Sequence, residues 1–193
     1  MSAALNYALR LIGAQSVTPA TGEVFDVLEQ MLTPLGFAVH RFTRGDGEEG
    51  SDEAPVENLF AIRRGAEGAK HFAFAGHVDV VPPGEGWASA PFEPEIRGDL
   101  LYGRGAVDMK GAIAAMVAAV ANVPPESGTI SFIITGDEEG PALHGTRALI
   151  DYMHEQGIQP DLCLVGEPTS VNQLGDMMLS LIHISEPTRR TPI

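Results

Sequence analysis

Positive charge is scarce in this chain: 12 lysines and arginines stand against 26 aspartates and glutamates, for a net charge of −14. That balance argues against non-specific binding to nucleic acid or to an anionic membrane surface, both of which need basic patches. Cysteine is nearly absent as well. The single Cys163 permits no internal disulfide, and its apolar run Leu162-Cys163-Leu164-Val165 reads as a central strand with the thiol as a small buried hydrophobe. No apolar stretch is long enough to span a bilayer, and the segment Met1-Ser2-Ala3-Ala4-Leu5-Asn6 lacks the basic region of a signal peptide. The expected compartment is therefore the cytoplasm. Internal repeats are missing, and no low-complexity linker precedes residue 178.

What is present suits one domain: 193 residues, 44% of them hydrophobic, suffice for a real core but not for two large ones. Val24, Val27, Leu28, Met31, Leu32 and Leu35 follow helical spacing, with Gly36 as the stop, and Leu5, Leu9 and Ile12 suggest a shorter helix ending at Gly13. Residues 37–42 alternate as a half-buried strand, and 59–62 read as another. The apolar runs 72–75, 130–134 and 162–165 look like central strands, with helical stretches at 109–120 and 146–153 between them. This alternation predicts an α/β domain with a mostly parallel central sheet flanked by helices. The acids Asp46, Glu48, Glu49, Asp52, Glu53 and Glu57, spaced by glycines, read as a solvated surface loop.

Four short polar segments carry the chemistry: Gly76-His77-Val78-Asp79, Asp108-Met109-Lys110-Gly111, Asp137-Glu138-Glu139-Gly140 and Gly166-Glu167-Pro168. Three follow apolar runs and one opens a helix, so all four fall on the rim where parallel sheets bind ligands. In an extended segment His77 and Asp79 point the same way, so the imidazole can bind a metal while the carboxylate fixes the ring. Asp108, at a helix entry, can cap the helix or bridge two cations. An acid at that position would repel a phosphate, which rules out a nucleotide-loop reading of Gly103-Arg104-Gly105. Three consecutive acids at 137–139 repel one another unless cations or protons compensate. Singly, each segment has an ordinary explanation. Together on one rim they point to a hydrolytic metal site.

The wording and order of these segments resemble the co-catalytic dizinc aminoacylase and exopeptidase family called M20. The similarity rests on Phe74-Ala75-Gly76-His77-Val78-Asp79-Val80-Val81-Pro82, the stretch 87–92, and Tyr102-Gly103-Arg104-Gly105-Ala106-Val107-Asp108-Met109-Lys110-Gly111. Thr135-Gly136-Asp137-Glu138-Glu139-Gly140-Pro141 and Val165-Gly166-Glu167-Pro168-Thr169-Ser170 complete it, over about residues 5–178. Within the family, Ser16-Val17-Thr18-Pro19, the Pro-Ala-Leu-His-Gly-Thr run from Pro141, and Leu174-Gly175-Asp176-Met177 suit the branch that removes succinate from N-succinyl-LL-2,6-diaminopimelate. That resemblance implies two Zn²⁺ ions, replaceable by Co²⁺. It makes His77 and Glu167 ligands of the first ion, Glu139 a ligand of the second, and Asp108 the bridge. Asp79 would support His77, and Glu138 would be the general base. A cytoplasmic, homodimeric enzyme of lysine and diaminopimelate biosynthesis, acting on a small N-succinyl amino acid, would follow. Sister specificities such as acetylornithine deacetylase share the same metal motifs, and a non-catalytic metal-binding module is the alternative of a different class.

Complete members of that family are about twice as long; they insert a lid or dimerisation domain and then supply a last histidine for the second zinc. Residues 179–193 depart from the family's wording and resemble a reading frame of a transposon end joined to a sequencing adapter. The expectation is a domain portion at residues 1–178, an adapter-derived tail at 179–193, one bound zinc at most, and no turnover. His40, His71, His144 and His154 fall outside the motifs, and His183 lies in the tail.

Overall fold

The computed structural model describes residues 2–48, 51 and 54–168. Helix α1 (Ala3–Gly13) begins where the Ser2 hydroxyl accepts the Leu5 backbone N–H, and buries Ala8, Leu11 and Ile12. Helix α2 (Glu23–Leu32) buries Val24, Phe25, Leu28, Met31 and Leu32, then tightens into a 3₁₀ turn that Gly36 ends at φ +84°. Strands β1 (Ala38–Arg44), β2 (Val56–Arg63) and β3 (His71–His77) follow. The hairpin β4 (Glu95–Arg97) and β5 (Leu100–Tyr102) then turns through Gly98 at φ +61° and leads to α3 (Lys110–Val120). Strand β6 (Thr129–Thr135), helix α4 (Thr146–Glu155) and strand β7 (Leu162–Val165) complete the described residues. No helix among them is long and apolar enough to cross a membrane.

The main sheet has the order β1-β2-β6-β3-β7. Alternation along β6 sorts its side chains by face. Ile130, Phe132 and Ile134 join the core formed with α1, α2 and α3, whereas Ile133 packs with Phe60, Ala73, Leu149 and Met153 on the face covered by α4. The result is a sheet between two helical layers.

Four expectations need correction or refinement. The sheet is mixed: β3 runs parallel to β6 and β7, but β1–β2 and β2–β6 are antiparallel. Direct succession of β1 and β2 needs no helical crossover, which is why they pair antiparallel. Strand β7 is an edge rather than a central strand among the described residues, with Leu162 66% and Leu164 48% exposed. Cys163 is accordingly exposed, not buried. Glu57 belongs to β2 rather than to a solvated loop: its carboxylate accepts the Gly22 N–H at 2.7 Å and pairs with Arg41, which also holds Asp26 and Glu29. The β4–β5 hairpin was not anticipated, because its three-residue strands are too short to show periodicity. Residues 169–193, including the 174–177 segment, the tail and His183, lie outside the described residues.

Candidate metal centre

Because β3, β6 and β7 are parallel, their carboxyl ends share one rim. His77 is the last residue of β3 and is fully buried. Its Nδ1 lies 3.0 Å from the Asp79 backbone carbonyl, which draws the ring proton to that nitrogen and turns Nε2 towards the rim. Facing Nε2 are Asp108 Oδ1 at 3.1 Å, Glu167 Oε1 at 3.4 Å and Glu138 Oε2 at 3.9 Å. Asp108 arrives from the turn before α3, Glu138 from the loop after β6, and Glu167 from the residues after β7. All four polar segments therefore meet at one place.

Asp79 organises the acidic loop. Its buried Oδ2 accepts the backbone N–H groups of both Glu138 and Glu139 at 3.0 Å. With their peptides aimed inwards, the two glutamates project onto the rim. The other oxygen, Oδ1, has no hydrogen-bond partner among the described residues and sits 3.4 Å from His77 Nδ1. Asp137 does something different from its neighbours. It is buried, taking the Thr18 hydroxyl on Oδ1 at 3.1 Å and the Ala142 N–H on Oδ2 at 3.0 Å. One acid of the three is thus a loop brace and two face outwards. The early Ser16-Val17-Thr18 segment runs beside residues 78–80, with Ser16 Oγ donating to the Val78 carbonyl at 2.7 Å and Thr18 N–H to the Val80 carbonyl.

The electrostatics are those of a cation site. Burial alone would lower the His77 pKa, but Asp79 and Glu167 more than reverse it and carry it to about 11. Burial raises the carboxyls of Asp108, Glu138 and Glu139, and repulsion from neighbouring carboxylates adds to the rise. Asp79 moves the other way: burial opposes its charge, but His77 and the two backbone N–H groups hold its carboxyl below the usual range. In the absence of an ion, protons have to balance the cluster. One ligand atom each from His77, Asp108 and Glu139 lie within 4.8 Å of one another, a donor set that fits a divalent cation. Glu167, 3.4 Å from Nε2, is within reach of the same ion.

Sequence reasoning overlooked Lys110. This lysine is fully buried at the start of α3, and its Nζ donates to the Ala14 carbonyl at 2.8 Å, tying α1 to α3. Burial lowers its pKa to about 7, against the attraction of Asp79. A lone lysine opening an otherwise small and apolar helix was the available signal. His144 stays outside the cluster: it lines a cleft of about 440 Å³ with Arg44, Arg147 and Asp151 that includes none of the candidate ligands.

A histidine ringed by carboxylates at the carboxyl rim of an α/β sheet defines a metal-dependent hydrolase architecture. The sequence match agrees: residues 73–188 fit Peptidase family M20/M25/M40, and the chain belongs to that family, which implies binding of a divalent metal. A succinyl-diaminopimelate desuccinylase of Erythrobacter litoralis (strain HTCC2594) is 84% identical over 178 residues, 92% of this chain and 47% of that protein. One of Novosphingobium aromaticivorans is 70% identical over 169 residues, 88% of this chain and 44% of that protein. Among solved structures, human carnosine dipeptidase 1 superposes with a TM-score of 0.66 at 23% identity, over 86% of this chain and 38% of its own. That likeness bears on the fold. The chain spans about half the length of the curated relatives it matches.

Proposed function

We propose that this chain carries the larger part of the metal centre of a hydrolase that cleaves N-succinyl-LL-2,6-diaminopimelate into succinate and LL-2,6-diaminopimelate. The observation that carries it is the ring of Asp108, Glu138 and Glu167 around His77 Nε2, in a chain 84% identical to a protein named for that reaction. His77, Asp108 and Glu167 would hold one Zn²⁺, and Asp108 with Glu139 a second, with Co²⁺ able to substitute. When bound, such ions supply Lewis acidity, lowering the pKa of water towards ~7 and polarising a carbonyl. Glu138 would act as the general base. Its half-exposed carboxylate would take a proton from the attacking water and return it to the leaving amine, while its raised pKa suits both directions of transfer. Asp79 orients His77 through the ring and Glu138 through its backbone N–H.

Residues 1–178 are taken as the first portion of the catalytic domain, with 179–193 as a tail foreign to it. The family match runs on to residue 188, so rereading the locus beyond codon 178 tests that boundary. The described acid cluster contains His77 as its histidine, and the reading assigns one tightly held zinc and no turnover to this chain by itself. The same reading makes the complete enzyme a cytoplasmic homodimer acting on small N-succinyl amino acids.

A chimera tests the activity. Residues 2–168 replace their counterpart in the Erythrobacter relative, and release of the free amine is followed with succinyl-diaminopimelate and acetylornithine as substrates. Desuccinylation at the relative's rate, falling about 10²- to 10⁴-fold in Glu138→Gln with metal content unchanged, is the expected result. Preference for acetylornithine would overturn the substrate assignment. The 193-residue chain turning over with two bound zincs would overturn the single-site reading.

A further inference from the structure

We propose that Met109 is a positioning residue for the metal centre, its thioether acting as one wedge that sets the spacing of His77, Asp108 and Glu167. The inference rests on the metal-site reading above. Met109 is fully buried and directly follows Asp108, at the N-cap of α3. Its Sδ accepts the backbone N–H of His77 at 3.3 Å. That N–H lies past the end of the β3–β7 pairing, whose last partners are Ala75 and Val165, so the thioether replaces a strand as its acceptor. The same side chain fills the space beside Gly76: a Cβ there would overlap its Cε and lie 2.7 Å from its Sδ. A Cβ on Gly166 would lie 3.0 Å from the Met109 Cε, with the Met116 Cε closer still.

One side chain thus lies against the backbone immediately before His77 and immediately before Glu167, and belongs to the residue that follows Asp108. Two glycines at those contacts make the fit close. A displaced Met109 lets β3, the α3 turn and the end of β7 move independently, and three oxygen and nitrogen donors then lose their common distance. Long, unbranched and weakly accepting, methionine combines the shape and the acceptor that this junction uses.

The test uses the full chain, titrated with Zn²⁺ alone by calorimetry and with Co²⁺ alone by its visible absorption, alongside thermal unfolding of the metal-free protein. Met109→Ala is expected to weaken Zn²⁺ about tenfold and to alter the Co²⁺ spectrum. Val117→Ala, a fully buried deletion elsewhere on α3, should lower the unfolding temperature similarly while leaving both metal readouts within twofold of wild type. Met109→Leu keeps volume but not the acceptor and should fall between; it also serves if Met109→Ala does not fold. Gly76→Ala, which drives the thioether out, should reproduce the Met109→Ala spectrum. Metal binding that follows unfolding temperature equally in the Met109 and Val117 variants would overturn the proposal. Wild type failing to bind either ion would instead overturn the metal-site reading itself.

Discussion

Two histidines stand at opposite ends of one strand and behave in opposite ways. His71 opens β3 and His77 closes it. The ring of His71 lies 2.9 Å from the Ser131 hydroxyl, has a backbone hydrogen bond to Gln159 and shares its surroundings with Arg64 and Asp161. Burial lowers its pKa, and the single acid nearby, already paired with Lys70, does not reverse that. His77 is buried more deeply, yet its pKa is driven up, because Asp79 and Glu167 more than offset its burial, on a ring that Asp108 and Glu138 also face. Residue type and strand are the same. The count and direction of carboxylates decide which end becomes a candidate metal site.

The sharpest way to break this contrast is to remove each ring in turn. His77→Ala is expected to weaken Zn²⁺ binding by at least about 100-fold, beyond the range for residues that merely orient a ligand. His71→Ala should leave it unchanged. Calorimetric titration of the two variants checks both, and comparable losses would end the assignment of the site to one rim.

Asp79→Asn ranks next. It keeps the shape that receives the Glu138 and Glu139 N–H groups but removes the charge that steadies them and His77. A loss of about 10- to 100-fold in Zn²⁺ affinity is expected from the same titration. An unchanged affinity would mean that geometry alone organises the loop.

Acidity should separate the histidines further. An unfolded chain releases the histidine proton near 6.5, whereas folded, metal-free His77 keeps it to about 11. Between those values the folded state holds more protons, so the His77 contribution to stability is full below about 6.5 and is lost as pH rises towards about 11. His71, with its lowered pKa, contributes with the opposite sign, losing stability as pH falls below 6.5. Metal must displace the His77 proton, so Zn²⁺ affinity should rise about tenfold per pH unit from 6 to 7.5, with proton release visible in the buffer dependence of the heat. A flat profile would contradict a protonated His77. The smallest effect is expected from Ser131→Ala, which removes the His71 partner and should cost about 1 kcal/mol in urea unfolding, with metal affinity untouched.

Much of this site was legible in the linear chain. His77, Asp108, Glu138, Glu139 and Glu167 each stand where an apolar run ends or a helix begins, and local periodicity reveals such boundaries. Asp137 was not separable from its neighbours, because its inward turn depends on Thr18 and Ala142, one of them 119 residues away. Lys110 and Met109 were quoted in a motif without a role, since both act through contacts with Ala14, His77 and the glycines. The exposure of Cys163 was misjudged for a similar reason. An apolar run specifies a strand, but whether that strand is central or at an edge depends on its neighbours.

The sequence by itself determined that the chain is acidic, α/β in class and equipped with one histidine and several carboxylates at element ends. These are properties of composition and spacing, and each needs only a few consecutive residues to express it. Only the tertiary structure decided that those groups meet. The parallel arrangement of β3, β6 and β7 puts three carboxyl ends on one rim, and the Asp79 contacts turn Glu138 and Glu139 outwards. Carboxylates separated by dozens of residues repel weakly in an open chain but more strongly once Asp108, Glu138 and Glu167 are gathered within 3.1–3.9 Å of one buried imidazole nitrogen. Folding creates that repulsion, and with it the demand for a cation.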